Sequence, residues 1–258
     1  MKILITGITG RIGANLAAAL SGLGHEVRGL VWPKDPRIEK LQGLGLELCD
    51  GDLANPDDVR RVLQGAEMVY HLGAAFQGGG PFTETDYFEI NIRGTFNILE
   101  AARSEDGLRG LVFASSDALY DKYVPGGMAE PIRADRAPRR PSGCYALSKS
   151  VGEELCSGYW RTYHLPVTVV RFSMVVGAGE ILDFRQFYLS KLKSQPDLAP
   201  LWQGEERLVV LKDAAGRAYK KHIADVRDIV HGCVCALDKP RAAGQTVQIA
   251  APAPFTWD

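Results

Sequence analysis

The segment TGITGRIG (residues 6–13) sets the frame for everything around it. It places Gly7, Gly10 and Gly13 directly after the apolar run KILIT (2–6). The stretch that follows repeats Ile12, Leu16, Leu20 and Leu23 at helical spacing. Strand, glycine turn and helix in that order make the first crossover of a sheet. There the pyrophosphate of a dinucleotide docks on backbone N–H groups and the positive end of the helix dipole. Glycine suits such a loop because the backbone must turn tightly and approach the ligand without a Cβ in between. Gly7, Gly10, Arg11, Ile12 and Gly13 are its cofactor-binding candidates.

The same alternation continues outward. Strands are expected at EVRGLV (26–31), LELCD (46–50), MVYHLG (68–73), LVFASS (111–116) and PVTVVRF (166–172). One helix starts at Asn55-Pro56-Asp57-Asp58, with Asn as cap, Pro in the first turn and acids facing the positive dipole end. Others are expected around 88–104 and over 145–163. This rhythm predicts an α/β, Rossmann-type doubly wound parallel sheet with helices on both faces. Past residue 175 it breaks into a helical stretch (181–195), a hairpin-like patch (207–222), a helix (225–237) and a strand (245–250). Residues 1–172 with 222–250 are assigned to the cofactor domain. Residues 173–221 with 251–258 are left for a small C-terminal substrate-binding lobe, short or truncated.

The second strand ends Leu30-Val31-Trp32-Pro33-Lys34, with no acid at its tip. An NAD site usually puts an acid there for the ribose 2′-hydroxyl, whereas a 2′-phosphate calls for Lys or Arg. Lys34, with Arg11, tilts the choice slightly from NAD towards NADP. Asp52 and Leu53, after the third strand, stand where the adenine amino group would lie.

Tyr145 and Lys149 are four residues apart on a helix, hence on one face. A tyrosine hydroxyl is a poor base at neutral pH, and a neighbouring ammonium favours its phenolate. The pair suits general acid/base work in hydride transfer. Ser115-Ser116 ends the fifth strand, where carboxyl ends of parallel strands open onto the ligand crevice. A hydroxyl there can share charge developing on a reacting oxygen.

Composition removes other classes. Thirty basic against 31 acidic side chains, a net charge of -1, lack the basic excess of a nucleic-acid-wrapping protein. No apolar run reaches ~18 residues, so no membrane span is expected. Five scattered cysteines read as small buried hydrophobes in a reducing, cytoplasmic setting. His25, His71, His164, His222 and His231 lack metal-ligand spacing and read as structural, so no metal is expected. The 28 glycines, about 11% against ~7% in ordinary domains, include the cofactor loop and a Gly78-Gly79-Gly80 run that suggests a mobile loop beside the site.

Together with HLGAA (71–75), NIRGTFNILEA (91–101), FASSDALYD (113–121), YALSK (145–149), VVRFSMVVGAG (169–179) and HIADVRDIV (222–230), these motifs run in order over almost the whole chain. The chain resembles an extended short-chain dehydrogenase/reductase of the NAD-dependent epimerase/dehydratase family. The resemblance implies Ser116, not Ser115, as the catalytic hydroxyl, Tyr145 as acid/base with Lys149 as its partner, and Asn91 as a structural residue near the site. It also implies Leu72, Gly73 and Ala74 along the cofactor. Asp117, Met174 and Arg217 become substrate-binding candidates beside Ser116. Two departures matter. The Asp-Glu pair of the family's dehydratases reads Asp117-Ala118 here, which disfavours elimination. The asparagine of its nucleotide-sugar enzymes is replaced by Met174.

The expected activity is an NAD(P)-dependent, epimerase-like exchange of hydride with a carbinol carbon of a sugar or sugar nucleotide. The alternative is a dehydrogenase or reductase of a smaller alcohol, ketone or aldehyde. A non-catalytic cofactor sensor is disfavoured because serine, tyrosine and lysine all stand. The expected partners are a small-molecule substrate and a second copy of the chain, with Leu99, Leu155 and Trp160 on the pairing helices of a homodimer.

Overall fold

The computed structural model describes residues 1–76, 82–122, 130–180, 188–210, 212–218 and 220–256. The Gly78–Gly80 run and residues 181–187 of the expected helical stretch lie outside them. In chain order the strands and α-helices are β1 (Lys2–Thr6), α1 (Arg11–Gly22), β2 (Glu26–Val31), β3 (Glu47–Asp50), α2 (Pro56–Leu63), β4 (Met68–His71), α3 (Glu84–Asp86) and α4 (Gly94–Ala102). They continue with β5 (Gly110–Ser116), α5 (Cys144–Tyr163), β6 (Val167–Phe172), β7 (Met174–Val176), α6 (Leu189–Leu192), β8 (Lys220–Lys221), β9 (Ile223–Asp225), α7 (Val226–Cys235), β10 (Thr246–Ile249) and β11 (Phe255–Thr256).

Seven strands form the central sheet in the order β10-β6-β5-β4-β1-β2-β3, and all its pairings are parallel. This is the expected doubly wound arrangement. Because helices cover both faces, the inner strands are apolar on both sides rather than alternating. Leu4, Val69, Leu111 and Phe113 pack under α2, α4 and α5. Ile3, Ile5, Met68, Tyr70 and Val112 pack under α1 and α7. The order of strands reverses between β1 and β4, which opens a ligand crevice at their carboxyl ends.

The chain departs from the expected elements where side chains intervene. β4 stops at His71 rather than residue 73, because the Gly73 N–H donates to Thr6 Oγ1 at 3.0 Å instead of extending a strand. The helix expected from 88 begins at Glu84, where Thr83 and Asp86 close a capping box. It passes through a π-helical stretch at Tyr87–Arg93 before continuing as α4. Of the stretch 181–195, the described part holds only the single turn α6.

The hairpin expected over 207–222 is not a continuous one. Lys212 bridges Ala218 around a tight turn, Leu208 bridges Tyr188, and β8 pairs antiparallel with β11. β9 pairs in parallel with β7 outside the central sheet, although β10 joins that sheet as its edge. Leu99 is fully buried and so is not free for a dimer face, and the half-buried Trp160 packs against Gly244. Cys235 is exposed beside His231, and His222 is exposed with its ring against the Ala251 carbonyl, so neither is a core residue. Among the described residues, no helix is long and apolar enough to cross a membrane.

Candidate active site

The glycine loop is built from backbone packed on backbone. Gly7 has φ +69°, a region that favours glycine, and a Cβ there would come within 2.7 Å of Gly73 Cα. A Cβ on Gly13 would lie 2.2 Å from the Gly7 carbonyl oxygen. Gly73 is closed in by Leu53 Cδ1 and Thr6 Oγ1, at 2.9 and 3.0 Å from where its own Cβ would sit. The first helix therefore starts against the ends of β1 and β4. Gly10 offers α1 no side-chain cap, and its first turn carries no acid. The first N–H groups of a helix have no partner within it, so Arg11, Ile12 and Gly13 present donors and an unopposed positive dipole end. A Cβ-free cradle with free donors fits a dinucleotide pyrophosphate.

Arg11 contributes its backbone here but not its charge. Its guanidinium donates to the Val175 carbonyl at 2.7 Å and pairs with Glu180, tying the loop to β7. Lys34 is exposed, at φ +63°. That left-handed residue turns the chain back so that Asp35 folds under the glycine loop. Asp35 is 8% exposed and accepts hydrogen bonds from Thr9 Oγ1 at 2.6 Å and from Arg37 Nε and Nη2 at 2.8 and 2.6 Å. The Arg37 guanidinium holds its carboxyl far below the usual range, so Asp35 is ionised. The sequence reading missed this acid because it sought one at the strand's tip. Asp35-Pro36 after a two-residue turn was the available signal.

Asp52 uses one carboxylate oxygen on the Ala54 N–H at 2.8 Å, within its own turn. Leu53 is buried, and its carbonyl accepts from Asn97 Nδ2 at 2.9 Å. Leu72 and Ala74 are half-buried on either side of Gly73.

Ser116 ends β5, and its Oγ accepts the Ala118 N–H at 3.1 Å. Tyr145 sits in the first turn of α5, with Phe76 and Tyr87 edge-on to its ring at 5.6 and 6.3 Å. Burial pushes the Tyr145 hydroxyl up to about 12, while a hydrogen bond with Ser116 pulls it back. The Lys149 ammonium donates to the Ala114 carbonyl at 2.8 Å and lies over the Phe113 ring at 5.2 Å. Its own burial drives it down to about 8. Two of its three donors remain for a ligand.

Around this centre the helix is anchored by buried polar bonds. Asn91, in the π-helical stretch, accepts from Ala75 N–H at 2.7 Å and donates to the Ala75 carbonyl and to Ser148 Oγ at 3.0 and 2.9 Å. Ser115 points away from the centre and donates to Glu153 Oε1 at 2.5 Å. Glu153 also takes two bonds from Arg171, at 2.7 and 2.6 Å, and one from Arg139 at 3.0 Å. Glu153 went unremarked in the sequence, although the four-residue step from Lys149 puts it on the same helix face.

The substrate candidates do not converge in the same way. Asp117 pairs with Lys122 at 2.5 Å, Met174 opens β7 half-exposed, and Arg217 is bound to Asp213 at 2.8 Å within an exposed turn.

Residues 3–250 match the NAD-dependent epimerase/dehydratase family, and the chain belongs to it. It is 26% identical over 249 residues to a UDP-glucuronate 4-epimerase of Arabidopsis thaliana, covering 92% of this chain and 54% of that protein. It is 33% identical over 177 residues to a uronate dehydrogenase of Pseudomonas syringae, covering 66% of this chain and 58% of that one. Its fold matches a short-chain dehydrogenase/reductase superfamily protein from Agrobacterium tumefaciens solved with bound NAD. There the TM-score is 0.86 at 33% identity, over 99% of this chain and 79% of that one. The chain spans about half the length of the curated relatives it matches.

The buried ammonium has a consequence for stability. Lys149 titrates near 8 in the fold against 10.5 ordinarily, so between those values the unfolded chain holds the extra proton and stability rises with pH. Below about pH 8 the full penalty applies. Lys149→Met is therefore expected to raise stability in urea unfolding by about 2–3 kcal/mol near pH 7. The gain should vanish as wild type approaches about pH 10.5. A less stable variant at pH 7 would mean that the bond to Ala114 outweighs desolvation.

Proposed function

We propose that this member of the NAD-dependent epimerase/dehydratase family exchanges hydride with a carbinol carbon of a sugar acid or its nucleotide, using Ser116, Tyr145 and Lys149. The observation that carries this reading is the juxtaposition of Ser116, at the carboxyl end of β5, with Tyr145 in the first turn of α5, one helical turn from the buried Lys149. Gly7, Gly10, Ile12 and Gly13, with Asp52, Leu53, Leu72, Gly73 and Ala74, would hold the cofactor. When bound, NAD supplies the hydride acceptor and, once reduced, the donor.

The chain's own groups handle the proton and the oxygen. Tyr145 takes the carbinol O–H proton at its Oη as the C–H hydride leaves, and returns it to the ketone oxygen when hydride comes back. Ser116 holds that oxygen and shares its charge. With its hydroxyl near 12, Tyr145 is protonated at neutral pH and is a ready donor. Acting as acceptor requires a positive charge nearby, which Lys149 supplies below about pH 8.

Likeness to UDP-glucuronate 4-epimerases supports the epimerase reading, in which hydride returns to the opposite face. Likeness to a uronate dehydrogenase supports a second reading, oxidation of a free sugar acid with release of reduced cofactor. Met174 in place of an asparagine and Arg217 engaged by Asp213 favour that smaller substrate.

Asp35 changes the cofactor preference to NAD. Its ionised carboxylate under the loop repels a 2′-phosphate, and the Arg37 charge is spent on it. A dimer is proposed through α4 and α5. Leu147, Val151, Leu155, Tyr159 and Tyr163 recur every four residues on α5, and Phe96 of α4 lies edge-on to the buried Tyr159 at 6.4 Å. Leu147, Tyr163, Phe88 and Phe96 are exposed. Sedimentation should give a dimer that Phe96→Glu converts to monomer; a monomeric wild type would rule it out.

The direct test titrates the protein with NAD and NADP, then follows uronates, UDP-uronates, other sugars and small ketones by product NMR and cofactor absorbance. NAD is expected to bind more than tenfold tighter than NADP. Equal or tighter NADP binding would assign the phosphate to Lys34 and Arg37. Tyr145→Phe should lower turnover roughly 10²–10⁴-fold with cofactor affinity intact. Unchanged turnover would remove Tyr145 from the chemistry.

A further inference from the structure

Behind the glycine loop lies a buried chain of hydrogen bonds that uses every proton once. The Gly73 N–H donates to Thr6 Oγ1 at 3.0 Å, and that hydroxyl lies 2.8 Å from His71 Nδ1. On the other side of the ring, His71 Nε2 lies 3.0 Å from Thr95 Oγ1. The Thr95 hydroxyl spends its single proton on the Asn91 carbonyl, 2.5 Å away. It can therefore only accept from His71, which fixes the imidazole proton on Nε2. His71 Nδ1 is then a lone pair, and the Thr6 hydroxyl gives its one proton to it. Beyond Asn91, its side chain binds Ser148 Oγ, which donates to the Tyr145 carbonyl at 2.8 Å.

One end of this chain is the wall that Gly7 leans against, and the other is the first turn of the helix carrying Tyr145 and Lys149. We propose that His71 is the positioning residue that couples these two ends, locked as the neutral Nε2–H tautomer so that the bond directions run unbroken from Gly73 to Asn91. The proposal rests on reading the glycine loop as the cofactor site. A protonated ring would turn Nδ1 into a donor facing Thr6 and strand the Thr6 proton in a buried place, where an unpaired polar group is costly. His71 is almost fully buried, with the Phe113 ring at 5.8 Å and the Lys149 ammonium as the nearby charge that opposes its protonation. Burial holds the ring down to about 3, so it stays neutral across the working range.

His71 differs from an inert packing residue in two measurable ways. Nitrogen-15 NMR of the histidine rings, without cofactor, should show His71 as a single Nε2–H tautomer from about pH 5.5 to about pH 8. An Nδ1–H tautomer, or titration near the ordinary value, overturns the proposal. The second readout is NAD affinity. Thr95→Val, on the helix side of the ring, is expected to weaken NAD binding about tenfold, and Thr6→Val likewise. The double variant should be no worse than the weaker single one, because each cuts the same chain. Effects that multiply, or a Thr95→Val variant that binds NAD like wild type, overturn the coupling. A wild type that binds no NAD defeats the cofactor reading instead, and is told apart because the tautomer is read without cofactor.

Discussion

The close approach of three glycines, Gly7, Gly13 and Gly73, is the constraint on which the rest depends. Their backbones lie where no Cβ could fit, so the ends of β1 and β4 and the start of α1 meet at one point. Any side chain there would push α1 outward and separate its free N–H groups from the crevice. The same contact sets Thr6 beside Gly73, from which the buried hydrogen bonds run to Asn91. A loop whose outer face suits a phosphate is thus linked, on its inner face, to the first turn of α5, the helix proposed to carry the chemistry.

Helix α5 carries the residues of the proposed chemistry as a single stripe. Tyr145, Lys149 and Glu153 follow one another at four-residue steps, from the mouth of the crevice into the protein. Each is more committed than the last. Tyr145 is half-buried among aromatic edges, Lys149 is buried on a carbonyl, and Glu153 is locked to Arg171 and Ser115. Removing one partner of such a buried pair leaves an uncompensated charge, a loss of about 3–5 kcal/mol. Ser115 and Ser116 part at the end of β5: the Ser115 hydroxyl anchors to Glu153 while the Ser116 hydroxyl accepts the Ala118 N–H.

Much of this was legible because it is local. Glycine spacing after an apolar run, β/α alternation and the Tyr145–Lys149 step are encoded within a few residues, and each element formed close to where its pattern lay. The unforeseen parts depend on contacts between distant segments. Nothing near Arg11 announces that Val175 and Glu180 hold its guanidinium. Asp35 was hidden by the left-handed turn at Lys34, which carries the acid back beneath Thr9. The pairing of β7 with β9 joins strands of three residues, too short to show a period. Burial likewise reshaped the electrostatics of this pair, weakening the hold of Lys149 on its proton and strengthening that of Tyr145.

The central claim is that the proton and the hydride travel by different routes, Tyr145 for the first and the nicotinamide for the second. Turnover of UDP-glucuronate or a free uronate in heavy water, with the product examined by NMR, separates the two most directly. The account predicts a product with no deuterium at its carbon atoms, because only the oxygen-bound proton exchanges with solvent. Deuterium at the reacting carbon would contradict it, and would replace hydride transfer with abstraction of a carbon-bound proton.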